Sequence, residues 1–150
     1  MSDPASIHLR PATDEDRAFL FRLRREAMRP HVERTWGGWD EADQRRRFEE
    51  TSDFAAHEII EVGGEAVGCR WVRELPDAWE LCRIYLLPEV QGRGIGTRII
   101  DDLCEAAARQ DLPVRLRVLR VNEAQRLYRR LGFEVVGETE FHVLMERPVR

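Results

Sequence analysis

The chain has 150 residues, 35% of them charged, with 24 basic side chains against 28 acidic ones and a formal charge of −4; that length suits one domain, 1–150, burying about two thirds of its unfolded surface. The acidic balance leaves no cationic excess for neutralising phosphates, which argues against nucleic acid as main partner, and no stretch longer than six residues lacks a charge, which argues against a membrane helix. Three scattered cysteines (Cys69, Cys82, Cys104) and four histidines without ligand spacing predict reduced thiols and no metal.

The opening Met1-Ser2-Asp3-Pro4 has neither the basic nor the apolar part of a secretion leader, so a cytoplasmic location is expected. Ile7-His8-Leu9-Arg10 reads as a short strand ended by Pro11. Thr13 caps a helix whose buried face is Phe19, Leu20, Leu23 and Ala27, and Pro30 is expected to break it. Asp40, with Asp43 three residues later, caps a second helix running through Phe48. The arginines here (Arg22, Arg24, Arg25, Arg29 and Arg34, then Arg45, Arg46 and Arg47) alternate with acids and read as solvated helix faces.

Residues 59–62, the pair Gly63-Gly64 and residues 66–72 read as a hairpin with a tight turn. A strand follows from Trp79 and is stopped by Pro88. A glycine cluster then leads into a helix marked by Ile95, Ile99, Leu103 and Ala106 or Ala107 at helical spacing. After it come a strand over 114–118, a short helix after Asn122, a strand over 133–136 and a last strand over 140–145. The predicted order is β-α-α-β-β-β-α-β-α-β-β.

The segment Gln91-Gly92-Arg93-Gly94-Ile95-Gly96-Thr97 carries the most information. Glycines at a helix start leave backbone N–H groups uncovered and let a ligand approach the main chain, which together with the helix dipole favours phosphate oxygens. A dinucleotide fingerprint does not fit, because Thr97 stands where its third glycine belongs; a P-loop does not fit, because the chain has no lysine. The bland alternative is a glycine-rich turn entering an ordinary helix. Downstream, residues 122–133 read as a helix with both ends marked: Asn122 as cap, Ala124, Leu127 and Leu131 as apolar stripe, and Gly132 as the left-handed residue after it. Tyr128 projects beside that stripe, either towards a cleft or simply lifting its hydroxyl to water.

Gln91, Gly94 and Gly96 match the pattern Gln/Arg-x-x-Gly-x-Gly/Ala, and Asn122, Tyr128 and Gly132-Phe133 follow at the matching distance. Together these motifs resemble the GNAT N-acetyltransferase superfamily, over essentially residues 7–147. The resemblance implies an α/β (α+β) single-domain fold, with a mixed, mostly antiparallel twisted sheet of six to seven strands flanked by about four helices. It implies transfer of an acetyl group from acetyl-CoA, as co-substrate, directly to a primary amine of a small molecule, peptide or protein. Backbone N–H groups of Gly92, Arg93, Gly94, Ile95, Gly96 and Thr97 would bind the pyrophosphate, with Arg93 and Arg98 near phosphate oxygens. Main-chain groups of Ile84, Tyr85 and Leu86 would be exposed by a bulge to the pantetheine arm, which Asn122 would also bond.

The same resemblance makes Tyr128 the acid that protonates the leaving thiolate, and Glu80 a base for the amine, with ordered water as the alternative. On a strand with alternating faces Glu80 shares a side with Cys82, Ile84 and Leu86, an apolar setting that would suit a base; it could equally just solvate the strand's beginning. The acceptor pocket is expected around Trp36 and Trp39, which either form an aromatic, acidic mouth for a cationic amine or plug the gap between helices. A monomer or homodimer is expected. A non-catalytic acyl-CoA-binding or sensing module is the alternative function; Tyr128 and Glu80 argue against it.

Overall fold

The computed structural model describes residues 6–51 and 54–149; the opening Met1-Ser2-Asp3-Pro4 lies outside them. Its strands are β1 (Ile7–Pro11), β2 (His57–Val62), β3 (Glu65–Glu74), β4 (Trp79–Leu86), β5 (Val114–Leu119), β6 (Glu134–Glu138) and β7 (His142–Arg147). Its helices are α1 (Arg17–Trp36), α2 (Glu41–Thr51), α3 (Ile95–Ala108) and α4 (Ala124–Arg130). The element order is the one read from the sequence. All strands join one seven-stranded sheet ordered β1-β2-β3-β4-β5-β7-β6, antiparallel throughout except where β4 meets β5.

Local chemistry sets the hairpin. Gly63 and Gly64 have φ of 61° and 84°, so the two-residue turn from β2 to β3 takes the left-handed backbone that suits twisted strands. The core forms two clusters. Leu20, Leu23, Phe48, Ile59, Ile60 and Cys69 pack α1 and α2 with the first strands, while Ile100, Leu103, Val114, Phe133 and Met145 pack α3 with the last. Ile84, on β4 between them, touches both.

Several boundaries differ from the sequence reading. Pro30 does not break α1, which continues to Trp36 and ends where Gly37 turns left-handed at φ 88° and its N–H bonds the Glu33 carbonyl at 2.8 Å. Proline costs a helix one hydrogen bond, to the carbonyl four residues back. Both Pro30 and Glu26 are exposed, so that carbonyl lies on the solvent side, while Val32 beyond the proline keeps the helix buried against the core. Thr13 opens only a 3-10 turn ahead of α1, its N–H held by the Asp16 carboxylate at 2.8 Å. Asp40 does cap α2, accepting the Asp43 N–H at 3.0 Å. Phe133 precedes β6 rather than opening it, and β7 begins at His142.

Candidate active site

Main-chain geometry builds one end of the site. After β4, a 3-10 turn at Pro88–Val90 delivers Gln91, whose side-chain amide reaches back to the Leu86 carbonyl at 3.0 Å and ties the loop to the strand end. Gly92 and Gly94 then adopt φ of 79° and 81°, and a side chain at either would meet open space, so conformation rather than crowding demands glycine. The N–H groups of Gly92, Gly94, Ile95, Gly96 and Thr97 have no acceptor among the described residues, and the helix ladder starts with Arg98 bonding the Gly94 carbonyl at 3.0 Å. Free donors converging on the start of a fourteen-residue helix fit a pyrophosphate. Ile95 itself is buried as the first core residue of α3. Arg98 is exposed and paired with Asp102 at 3.3 Å, and Arg93 is exposed.

Strand divergence builds the middle. β4 pairs with β3 along its whole length, Gly68 opposite Leu86, but with β5 only at Trp79, Glu80 and Leu81. Beyond that, the edge of residues 82–86 that faces β5 carries no strand, and the sheet opens into a cleft of about 1590 Å³. Ile84, Tyr85 and Leu86 line it, with Gln91, Asn122 and Tyr128. The expected bulge lies upstream of those residues, at Cys82, where the β3–β4 register slips between Trp71 and Val72; parting of β5, rather than the bulge, frees the edge at Ile84, Tyr85 and Leu86.

Tyr128 is held by the end of α4. Gly132 at φ 94° lets Phe133 N–H bond the Tyr128 carbonyl at 2.9 Å and its own N–H bond the Arg129 carbonyl at 3.0 Å, a Schellman closure. The Tyr128 ring packs edge-on against Phe133 at 5.7 Å. Its hydroxyl bonds no other described residue, and burial, then the neighbouring Tyr85, push its pKa up to about 12. Asn122 lines the cleft and accepts the Ala124 N–H on Oδ1 at 2.9 Å, so its amide nitrogen is the group that remains to donate to a ligand.

Glu80 requires a correction. The bulge at Cys82 reverses the alternation of side chains, so Glu80 shares a face with Arg83 and Tyr85, opposite Ile84 and Leu86. Its surroundings are polar: Arg73 lies 3.6 Å from Oε1 and the Cys82 thiol donates to the same oxygen at 3.2 Å. Burial and that contact push the Cys82 thiol up to about 12. Glu80 lines the cleft with its side chain 39% exposed.

The far end is roofed by α1. Trp36 lines the cleft and packs on Phe141 at 5.2 Å, while Trp39 packs against the first core cluster, its indole N–H reaching Glu41 at 3.3 Å, and does not line the cleft. Arg24 and Arg34, which read from the sequence as part of a solvated helix face, also meet here with His31 from α1, Arg117 from β5 and His142 from β7. Arg34 donates to His31 Nδ1 at 2.8 Å. Burial, then Arg34, hold His31 below the usual histidine range, and burial, then Arg117, do the same to His142. Only the chain's folding brings them together; no local motif marks them. Among the described residues no cluster of His, Cys, Asp and Glu could hold a metal, and no helix is long and apolar enough to cross a membrane.

A family model described as acetyltransferase (GNAT) domain matches residues 54–135. No curated protein matches the sequence. Among solved structures the fold is similar to PaiA N-acetyltransferase from Thermoplasma acidophilum in complex with coenzyme A, at TM-score 0.74 and 20% identity over 95% of this chain and 99% of that one. It is also similar to an acetyltransferase from Thermus thermophilus (0.72, 20%, 95% and 97%) and to the ribosomal-protein-S18-alanine N-acetyltransferase from Escherichia coli (0.67, 16%, 95% and 94%). The matched residues span more than half of the sequence and include the strand divergence, the glycine loop and Tyr128, and the chain belongs to the GNAT acetyltransferase family, the acetyl-CoA-dependent N-acetyltransferases.

Proposed function

We propose that the protein transfers acetyl from acetyl-CoA directly to a primary amine bound under α1, with Tyr128 as acid and Glu80 as base. The observation that carries this reading is Tyr128, which lines the cleft where β4 and β5 part and whose hydroxyl bonds no other described residue. Bound acetyl-CoA supplies a thioester whose acetyl carbon the amine attacks and whose thiolate departs. The loop N–H groups from Gly92 to Thr97 bind its pyrophosphate, and the free edge of residues 84–86 with the Asn122 amide positions its pantetheine arm.

A phenol whose pKa is pushed up to about 12 keeps its proton at neutral pH, so Tyr128 can donate it to the departing sulfur. The attacking amine is an ammonium in bulk water and must lose a proton first. Glu80, on the cleft face where the strands begin to part, accepts that proton directly or through one water, and its exposure leaves a path to solvent. Trp36 walls the acceptor end, and Glu80 in the same cleft meets the amine that arrives charged. The protein is proposed to act as a single 1–150 domain, monomer or homodimer, in the cytoplasm.

Tyr128→Phe tests this reading. Thiol release in the presence of an amine panel should fall ~10²–10⁴-fold in kcat, the usual worth of a positioned proton donor, with acetyl-CoA affinity unchanged. Unaltered turnover would remove Tyr128 as the acid. Acetyl-CoA binding with no turnover on any amine would favour the binding-module alternative.

A further inference from the structure

The arginines around the cleft divide by their partners. Arg73 meets Glu80, and Arg115 meets Asp77 at 3.1 Å and Glu146 at 2.9 Å. Arg24 meets no carboxylate of any described residue. It reaches from α1, half-buried, and its guanidinium is held by neutral groups only: Nη1 donates to the Tyr85 hydroxyl at 3.4 Å and Nη2 to the Gln44 carbonyl oxygen at 3.0 Å. Its Nε is buried with no acceptor. The neighbouring Arg22 and Arg25 have carboxylate partners, Glu26 one turn along α1 and Glu41 on α2; Arg24 does not.

A guanidinium withdrawn from water without a counter-charge is costly, and the cost falls when an anion enters. The phosphate cradle has its own donors on the loop and at the start of α3, beyond Gln91, so it does not need this cation. Arg24 and the Tyr85 that it touches line the same cleft as Tyr128, so the unpaired charge faces the reacting groups across that cleft. Two further cleft arginines have no ion partner among the described residues: Arg34, which holds His31, and Arg117, which stands on the β5 floor beside His142.

We propose that the acceptor is an amine that also carries a carboxylate, and that Arg24 binds this carboxylate, with Arg117 adding charge from the floor. The inference rests on the acetyl-transfer reading for the amine, but the anion site does not. A planar guanidinium matches a carboxylate in shape and in single charge. The acids of the same cleft, Glu80 among them, then face the ammonium end of a zwitterion.

The test is calorimetric titration of the whole protein, alone and saturated with CoA, using product-like probes of graded charge. N-acetylglycine, 4-acetamidobutyrate and N-acetyl-L-phenylalanine carry a carboxylate; their methylamides do not; N-acetylaminoethyl phosphate carries a phosphate. The best carboxylate should bind at least tenfold tighter than its methylamide and tighter than the phosphate. That preference should vanish in Arg24→Gln and persist in part in Arg24→Lys, with acetyl-CoA affinity unchanged in both. Because Arg24→Gln removes an uncompensated half-buried charge, its Tm should be equal or higher; a purely structural arginine would give a lower Tm.

Equal binding of carboxylate and methylamide, binding of neither, preference for the phosphate, or a preference that survives Arg24→Gln would each overturn the proposal. A drop in acetyl-CoA affinity in Arg24→Gln would assign the arginine to the cofactor instead. If CoA fails to bind while the carboxylate preference holds in the protein alone, the acetyl-transfer reading falls and the anion site stands.

Discussion

At the α3 end of the cleft the proposed binding groups are main-chain N–H donors from contiguous residues, Gly92 to Thr97. At the α1 end they are side chains from four elements: Arg24 and Trp36 from α1, Tyr85 from β4, Arg117 from β5 and His142 from β7. The difference separates what each end can vary. A backbone cradle depends on conformation and tolerates most changes of side chain, whereas a wall of side chains changes its ligand with each substitution. On the proposed reading, φ fixes the cofactor end, and charge and shape fix the acceptor end.

Replacing one chemical group between the two ends should have a large effect, second to that of Tyr128→Phe. Glu80→Gln keeps size and hydrogen bonding but removes the proton acceptor, so kcat should fall ~10²-fold with acetyl-CoA affinity unchanged. A change in affinity alone would make Glu80 a binding residue, and an unchanged kcat would hand the base role to water.

A backbone contact under the free edge of β4 comes next. A Cβ on Gly68 would lie 2.4 Å from the Tyr85 carbonyl oxygen and 2.8 Å from Leu86. Gly68→Ala should cost ~1–3 kcal/mol of stability, as overpacking does, and should also weaken acetyl-CoA by shifting residues 84–86. Denaturant melts with ligand titration read both; full affinity in a destabilised variant would show that the edge does not hold the cofactor.

The smallest effects are on pH dependence. His31 and His142 have lowered folded pKa values, so above about pH 6.5 they are neutral folded or unfolded and contribute nothing. Below that, the unfolded chain takes up protons first, and stability should decline with acidification until the folded values are passed. His142→Gln should flatten the decline. On the alkaline side the folded chain keeps the Tyr128 proton between pH 10 and about 12 while the unfolded chain loses it, so stability should fall across that window. Melting curves against pH check both arms.

The same contrast decides what the sequence disclosed. The glycine loop and the Asn122–Phe133 helix are local: each carries its caps, stripe and turn residues within a dozen positions, and the strand and helix order followed from such signals. Pro30 misled because local propensity yields to burial of Val32 beyond it. Glu80 was placed on the wrong face because a single extra residue at Cys82 reverses strand alternation, and no residue type announces a bulge. Arg24 read as one more arginine on a solvated helix; only the fold shows that Gln44 and Tyr85, rather than an acid, surround it. Trp36 and Trp39, three positions apart, separate because Gly37 ends α1 between them.

The most direct test of a main-chain cofactor cradle is calorimetric titration of acetyl-CoA into the wild type and Gly94→Val. Valine cannot hold φ near 81° without a cost of about 1–2 kcal/mol, and nothing crowds the site that would otherwise explain a loss. Saturable binding to the wild type is the expected result, weakened ~10-fold or more in the variant, where the exposed loop relaxes from this φ and only ligand binding must restore it, so that Tm changes little. No binding to the wild type, or equal binding to both proteins, would contradict the account.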